Sequence, residues 1–177
     1  MDNHADTQPS EHHYDLTVII AEEMASANLG LIFSALRPTD YPAVEFLVCS
    51  GSDRTLLADV PETPNVHIVP AQSDNRIPLL WADGIRAATA HKVALTTAHC
   101  VPTSDWLDRL LAYPMDGNQV AVGGAIENAE NDTRIGRVVY LLRYVRYTGA
   151  RPSGLARDLA ADNALYRTEG RRRARSH

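Results

Sequence analysis

The chain has 177 residues, of which 45% are apolar and 22% are charged. That composition is typical of a globular protein and excludes a largely disordered chain. The two cysteines, Cys49 and Cys100, both lie in apolar stretches, which excludes a scaffold held together by disulfides. No apolar run approaches the roughly 20 residues of a membrane span. The polar N-terminus holds no signal-peptide core, so we expect a cytoplasmic protein.

The net charge of −5 is unevenly distributed along the chain. Residues 1–132 hold 6 Lys/Arg and 19 Asp/Glu, a net charge of −13, whereas residues 133–177 hold 11 Arg and 3 acidic residues, a net charge of +8. The basic segment is either a solvated face or a surface that meets an anion: a diphosphate, a lipid head group or the acidic half of the same fold. We expect no nucleic-acid partner, because no recognition motif accompanies the arginine run at 171–175.

Short apolar runs alternate with amphipathic helical patterns over most of the chain. Strands are predicted at 16–20, 44–49, 66–69, 93–95, 119–125 and 163–167, and helices at 29–36, 77–88, 104–111 and 135–147. Residues 1–14 are expected to be a disordered leader and 171–177 a basic disordered tail, leaving a single domain over 15–170. The alternation predicts an α/β fold with a mostly parallel, Rossmann-like sheet flanked by helices.

In such sheets, ligands bind beyond the carboxyl ends of the strands. The residues that this rule selects are Ala21, Glu22, Ser50, Ser52, Thr97, Ala98, His99, Gly123 and Gly124. No GxGxxG follows the first strand and no GxxxxGK[ST] is present, so dinucleotide-binding and P-loop sites are not expected. Turn chemistry for the serines, a hydrogen-bonded structural role for the histidine and close backbone packing for the glycines stay open as alternatives.

The segment 135–147 carries two stripes of residues at helical spacing. An apolar stripe, which we expect to pack on the sheet domain, consists of Ile135, Val138, Val139, Leu142 and Val145. A second stripe consists of Tyr140, Tyr144 and Tyr147. The alternative is an interfacial helix, in peripheral contact with a membrane, whose tyrosine and arginine side chains lie among anionic head groups.

Six segments, in this order, resemble a family-two glycosyltransferase of the GT-A fold. The first strand and EFLVCSGSDRT at 45–55 are similar to the family's first two strands and the acidic turn after the second. Residues 75–88 resemble its Ala-Arg-Asn-x-Gly segment, and VALTTAHCVPTSDWL at 93–107 resembles its Asp-x-Asp and Pro-x-x-x-Trp-Leu. VGGAIEN at 122–128 and DNALYRTEG at 162–170 resemble the next strand and the Asn-x-Ala-(Tyr/Phe)-Arg motif. The resemblance implies a GT-A sheet, C-terminally truncated because the family's acceptor region would follow the end of this chain.

The resemblance also implies roles for individual residues. Asp83, Asn163 and Arg167 match positions that contact the sugar donor, although Asp83 has a surface or capping role as its alternative. Near the position of the acceptor region, Asp158 and Asp162 are the candidate catalytic bases.

Two departures from the family pattern bear on the chemistry. The family's base-binding aspartate is Ser50 here, and Thr97-Ala98-His99 replaces the Asp-x-Asp that holds Mg²⁺ or Mn²⁺ beside the diphosphate. Because these hard cations prefer carboxylate oxygens, Mg²⁺ or Mn²⁺ dependence is disfavoured, and His99 alone stays as a candidate metal ligand. Changing Thr97 and His99 to aspartate would then create metal-dependent nucleotide binding.

The leading hypothesis is a domain that binds a nucleoside-diphosphate sugar and, if active, transfers the sugar to an unknown acceptor by displacement at the anomeric carbon. His99, an arginine such as Arg143, Arg146 or Arg167, or backbone amides would have to neutralise the diphosphate. The alternative is a catalytically inactive, degenerate or truncated relative that acts as a binding or interaction protein; the missing carboxylates favour it.

Overall fold

The structure, a computed structural model, describes residues 14–24, 28–53, 57–72, 74–116, 119–129, 133–149 and 153–168. Residues 1–13 of the predicted leader and the whole predicted tail lie outside the described residues. Six strands form one sheet: β1 (Leu16–Glu22), β2 (Val44–Ser50), β3 (Val66–Pro70), β4 (Lys92–Thr97), β5 (Ala121–Gly123) and β6 (Ala164–Arg167). The described helices are α1 (Leu29–Leu36), α2 (Ile77–Ala87), α3 (Trp106–Ala112) and α4 (Arg134–Tyr144).

The strand order is β3-β2-β1-β4-β6-β5. The first four strands pair in parallel, whereas β6 runs antiparallel to both β4 and β5. The predicted α/β fold with a mostly parallel sheet is therefore confirmed. The reversed strand was not predicted, because a four-residue apolar run carries no information about its direction.

The core lies on both faces of the sheet, which explains why the central strands are mostly apolar and do not alternate with polar residues. Every residue of β1 and of β2 is buried. Alternate side chains of β1, such as Val18 and Ile20, pack in the cluster that holds α1 and Leu107 of α3. Ile19, between them, packs in the cluster that holds Leu80 of α2. The period-2 geometry of a strand divides its side chains between the two faces in this way.

The predicted docking of α4 through its aliphatic stripe is wrong. The exposed fractions are 79% for Ile135, 55% for Val138, 54% for Val139, 82% for Leu142 and 54% for Val145. The tyrosines face the domain instead: Tyr140 Oη donates to the Ile126 carbonyl and Tyr144 Oη to the Asp162 carboxylate, each at 2.8 Å. A half-buried tyrosine needs an acceptor for its hydroxyl, and the segments beneath α4 supply two. None of the helices within the described ranges is long and apolar enough to cross a bilayer.

Candidate functional site

The carboxyl ends of three neighbouring strands form the candidate site. β1 lies between β2 and β4, with Glu22 paired to Ser50 and Ala21 paired to Thr97. Neighbouring strands lie about 4.8 Å apart, so Ser50 and Thr97 are about 10 Å from each other. The structure thus brings the predicted residues after β1, β2 and β4 to one edge of the sheet.

Glu22 organises the β1–β2 side of this edge. Its carboxylate is fully buried and accepts hydrogen bonds from Ser50 Oγ at 2.9 Å and Ser52 Oγ at 3.3 Å. It also accepts the Met24 N–H at 3.0 Å. The two serines therefore have a structural task that accounts for their residue type, and the carboxylate fixes the turn that follows β2.

Asn75 is a residue of this edge that the sequence analysis did not single out. Its Oδ1 accepts the Gly51 N–H at 2.7 Å, and its Nδ2 donates to the Glu23 carbonyl. The residue thereby joins the loops after β1 and β2. An asparagine two residues before a helix gives no signal of this role in a sequence, since its partners lie 24 and 52 positions away.

Thr97 begins a second polar cluster, at the end of β4. Thr97 is fully buried, Ala98 is 1% exposed and His99 is exposed. The Thr97 Oγ1 atom and the Asp162 Oδ1 atom are both buried, and neither makes a hydrogen bond within the described residues. Buried polar atoms of this kind are uncommon, so this end of β4 has unused hydrogen-bonding capacity.

Cys100 lies between the members of this second cluster. Burial raises the pKa of its thiol, the Asp162 charge raises it further, and the Thr97 and Tyr144 hydroxyls lower it. Burial and the hydrogen bond to Asp162 also raise the pKa of Tyr144 above its ordinary value. Arg143 Nη2 lies 4.0 Å from Asp162 Oδ1, with its side chain 51% exposed. The cluster therefore contains one buried carboxylate and one guanidinium that is open to solvent.

Two further candidates have structural roles. Ala21 is fully buried in β1, and its carbonyl accepts the Ala98 N–H at 2.9 Å. Asp83 on α2 is 3% exposed; its carboxylate accepts the Gln72 N–H at 3.0 Å and pairs with Arg86. Asp83 thus ties α2 to the loop after β3, which leaves it little capacity for a ligand.

Gly123 and Gly124, at the end of β5, are explained by close packing. A Cβ atom on Gly123 would lie 2.9 Å from Leu159 Cδ2, and one on Gly124 would overlap the Asn163 amide. Asn163 accepts the Trp106 indole N–H at 2.9 Å and donates to the Ala125 carbonyl at 2.9 Å. Asn163 therefore connects α3 to the segment after β5, at the same edge as the candidate site.

The reversed direction of β6 separates Arg167 from this edge. Arg167 pairs with Lys92, the first residue of β4, whereas Ala164 pairs with Leu95. At about 3.3 Å per residue, Arg167 lies about 16 Å along the sheet from the level of Thr97. The motif that predicted Asn163 and Arg167 together therefore places only Asn163 at the site.

The two candidate bases are both engaged. Asp158 Oδ2 lies 3.6 Å from Arg146 Nη1, and both side chains are exposed. Asp162 is 7% exposed and accepts the Tyr144 hydroxyl. Asp158 is therefore in an exposed ion pair, whereas Asp162 is buried and keeps one carboxylate oxygen without a hydrogen bond within the described residues.

The residues of this edge do not fit Mg²⁺ or Mn²⁺. The Thr97-Ala98-His99 triplet contributes one buried hydroxyl and one exposed imidazole, where hard cations need several oxygen ligands. Within the described ranges, no three His, Cys, Asp or Glu side chains are grouped so that they could hold a metal ion.

The Cys49 thiol, one residue before Ser50, gives a testable pH dependence. Burial, together with the Asp83 charge, raises its pKa from 9.0 to about 12. The thiol of the unfolded chain therefore loses its proton at a lower pH than the thiol of the folded protein. Ionisation then favours the unfolded state, so the free energy of unfolding falls as the pH rises from 9 towards 12. We expect the Cys49 thiol to account for a loss of about 2 kcal/mol by pH 10.5. Urea unfolding at pH 7.5 and 10.5 should show a smaller loss for Cys49→Ala; equal losses in the two proteins would contradict the assignment.

A shallow cavity of about 410 Å³ lies beside α1, lined by residues such as Phe33, Arg37 and Asp59. None of the predicted site residues lines it, so the cavity lies outside the candidate site.

In comparisons with known proteins, the chain matches no protein-family model and no curated protein.

Proposed function

We propose that the carboxyl edge of the sheet binds a nucleoside-diphosphate sugar, as in the glycosyltransferases of the GT-A fold that the sequence resembles. The observation that carries the proposal is that Glu22, Ser50 and Thr97 end three adjacent parallel strands along this edge. Ligands of open α/β sheets bind in the crevice beyond such strand ends. The mostly parallel sheet supports the same reading, since it is the architecture that the resemblance implies.

On the β2 side, Glu22 supplies the carboxylate that Ser50 lacks. The two side chains are hydrogen-bonded at 2.9 Å, so a carboxyl group lies beside the position where the family has its base-binding aspartate. The buried carboxyl group holds the two serine side chains of the turn at 50–52 in place, and Asn75 holds the backbone of the turn through the Gly51 N–H. In this proposal Glu22 is a positioning residue for the nucleobase end.

On the β4 side, Arg143 is the arginine best placed to neutralise a diphosphate. It lies next to Asp162 and Tyr144, and half of its side chain is open to solvent. Arg146 is paired with Asp158, and Arg167 lies at the opposite edge of the sheet. His99, exposed directly after β4, is the second candidate for contact with the phosphates.

The surroundings of Asp158 and Asp162 favour a second candidate function, binding without sugar transfer. An inverting transfer needs a base that removes the acceptor proton, but Asp158 is paired with Arg146 at the surface, and Asp162 is only 7% exposed and accepts the Tyr144 hydroxyl. In this alternative the domain binds the nucleotide at the same edge but does not turn it over. Release of UDP or GDP from a panel of sugar donors distinguishes the two candidates.

Titration calorimetry with UDP and GDP tests the binding proposal. We expect Arg143→Gln to weaken nucleotide binding roughly tenfold, about 1.4 kcal/mol, because one charge-assisted contact to phosphate is lost. Arg167→Gln is the matched control and should bind as the unchanged protein does. Equal effects of the two substitutions, or no binding of either nucleotide to the unchanged protein, would contradict the proposed site.

The same titration tests the dependence on metal. We expect removal of Mg²⁺ and Mn²⁺ by a chelator to change the affinity less than tenfold, because the residues after β4 supply no carboxylate for a cation. A hundredfold loss on chelation, about 2.7 kcal/mol, would show that the metal site has been missed.

A further inference from the structure

The outer face of α4 is an apolar surface that no described residue covers. Its members, 54–82% exposed, are Ile135, Val138, Val139, Leu142 and Val145. We call these five residues the outer face of α4. Aliphatic residues scattered singly over a surface are common, but five on one helix face form a contiguous patch.

The orientation of the helix is fixed by its polar contacts. Tyr140 and Tyr144 hold the opposite side against the domain through hydrogen bonds of 2.8 Å to Ile126 and Asp162. Thr133 caps the helix by accepting the Gly136 N–H at 3.0 Å. Burying the outer face would require the helix to rotate and break both tyrosine contacts, so the face is left for an external partner.

The charges around this face indicate the chemistry of the partner. α4 and the turn after it carry Arg134, Arg137, Arg143 and Arg146 and no acidic residue, and the last two of these arginines lie near Asp162 and Asp158. From residue 133 to residue 157 there are six arginines and no Asp or Glu. A second copy of the chain would bring two such arginine sets together and repel, whereas an anionic surface complements them.

The segments 1–13 and 171–177 are poor candidates for covering this face. Residues 1–13 contain Met1 and Ala5 as their only apolar side chains, and residues 171–177 are basic with a single alanine. Neither segment offers aliphatic side chains for a patch of five aliphatic residues.

We propose that the outer face of α4 binds the surface of an anionic lipid bilayer. The helix lies in the plane of the interface, its aliphatic side chains reach the acyl boundary, and the flanking arginines meet the phosphates of the head groups. Since Arg143 and Tyr144 belong to the same helix, bilayer contact would bring the candidate site close to the membrane.

Co-sedimentation of the full chain with lipid vesicles tests the proposal. The vesicles are phosphatidylcholine alone or phosphatidylcholine with 30% phosphatidylglycerol, at about 0.15 M salt. We expect binding to the anionic vesicles only, and at least a tenfold loss of binding in Ile135→Ser/Leu142→Ser. Both side chains are about four-fifths exposed, so the double variant should fold as the unchanged protein does. Leu31→Ser, an equivalent change at a 60% exposed leucine on α1, is the matched control.

A fluorescence readout separates insertion from simple charge attraction. We expect the emission of Leu142→Trp to shift to shorter wavelength on adding anionic vesicles and that of Leu31→Trp to stay unchanged. If Ile135→Ser/Leu142→Ser still binds anionic vesicles as the unchanged protein does, the attraction comes from arginines such as those at 171–175. That result would overturn the proposal. A concentration-dependent dimer that the same double variant abolishes, without vesicle binding, would overturn it in favour of a second copy.

Discussion

Thr97→Asp is expected to lower the free energy of unfolding by about 3–5 kcal/mol, the cost of a buried charge without a partner. Position 97 is fully buried at the end of β4, in the cluster that already holds the Asp162 carboxylate. A second carboxylate there would either be charged next to the first or be held in its protonated form. Urea unfolding monitored by circular dichroism at pH 7.5 gives the difference.

Thr97→Val is the matched control for this change. The Thr97 hydroxyl has no oxygen or nitrogen partner within the described residues and interacts only with the nearby Cys100 thiol, so an isosteric apolar side chain loses at most that weak contact to sulfur. We expect the valine variant to be as stable as the unchanged protein or more stable by up to about 1 kcal/mol. A destabilised valine variant would mean that the hydroxyl has a partner, and an unaffected aspartate variant would mean that this end of β4 is open to water.

This result bears on the pair of aspartates suggested by the family pattern. Of the two positions, 99 is exposed and 97 is not. Thr97→Asp/His99→Asp therefore places one carboxylate where it can meet a cation and the other inside the domain. The double variant has to remain folded before a titration with Mn²⁺ and UDP can be interpreted.

Gly84→Ala is expected to destabilise the protein by about 2 kcal/mol, although alanine is the better helix former by about 1 kcal/mol. A Cβ atom on Gly84 would overlap Ile19 and come within 2.7 Å of Cys49 Sγ, so α2 would have to move away from the sheet. Both neighbouring side chains are fully buried, so neither can move aside for the added methyl group. Thermal unfolding should show a lower midpoint.

Gly30→Ala provides the comparison for Gly84→Ala. Gly30 also lies in a helix, but a Cβ atom there would meet only the Asp59 side chain at 3.6 Å, an ordinary contact. The higher helix propensity of alanine should therefore take effect, and the free energy of unfolding should be unchanged or higher by up to about 1 kcal/mol. Similar effects of the two substitutions would contradict the close packing of α2 against β1 and β2.

The fold was predictable from the sequence because buried parallel strands have a strong local signal. The runs that became β1 and β2 are mostly apolar, interrupted only by Thr17 and Glu45 before their polar last residues, and the stripe of α1 follows helical spacing. The direction of β6 was not predictable, and this is why Arg167 was expected at the wrong edge. Strand direction depends on how the chain returns to the sheet, and four residues do not encode that route.

The candidate site was predictable only in outline. The rule that ligands bind at strand ends identified Glu22, Ser50 and Thr97, but the burial of Glu22 and the role of Asn75 depend on distant partners. The orientation of α4 does not follow from its sequence pattern, in which the aliphatic stripe is the stronger signal. The helix is oriented by hydrogen bonds from its tyrosine hydroxyls to Ile126 and Asp162, and a helical pattern does not reveal either acceptor.

The position of β6 has a consequence for how the chain folds. Among the described strands β5 pairs only with β6, yet β6 follows it by some forty residues and must enter between β4 and β5. Pairings of such long sequence separation form slowly, and until they form β4 presents an open edge to other chains. During synthesis, β5 therefore cannot form its pairing with β6 until residues 164–167 have left the ribosome. A shortened chain that ends before Ala164 would keep that open edge permanently, so aggregation of such a chain would reveal nothing about α4.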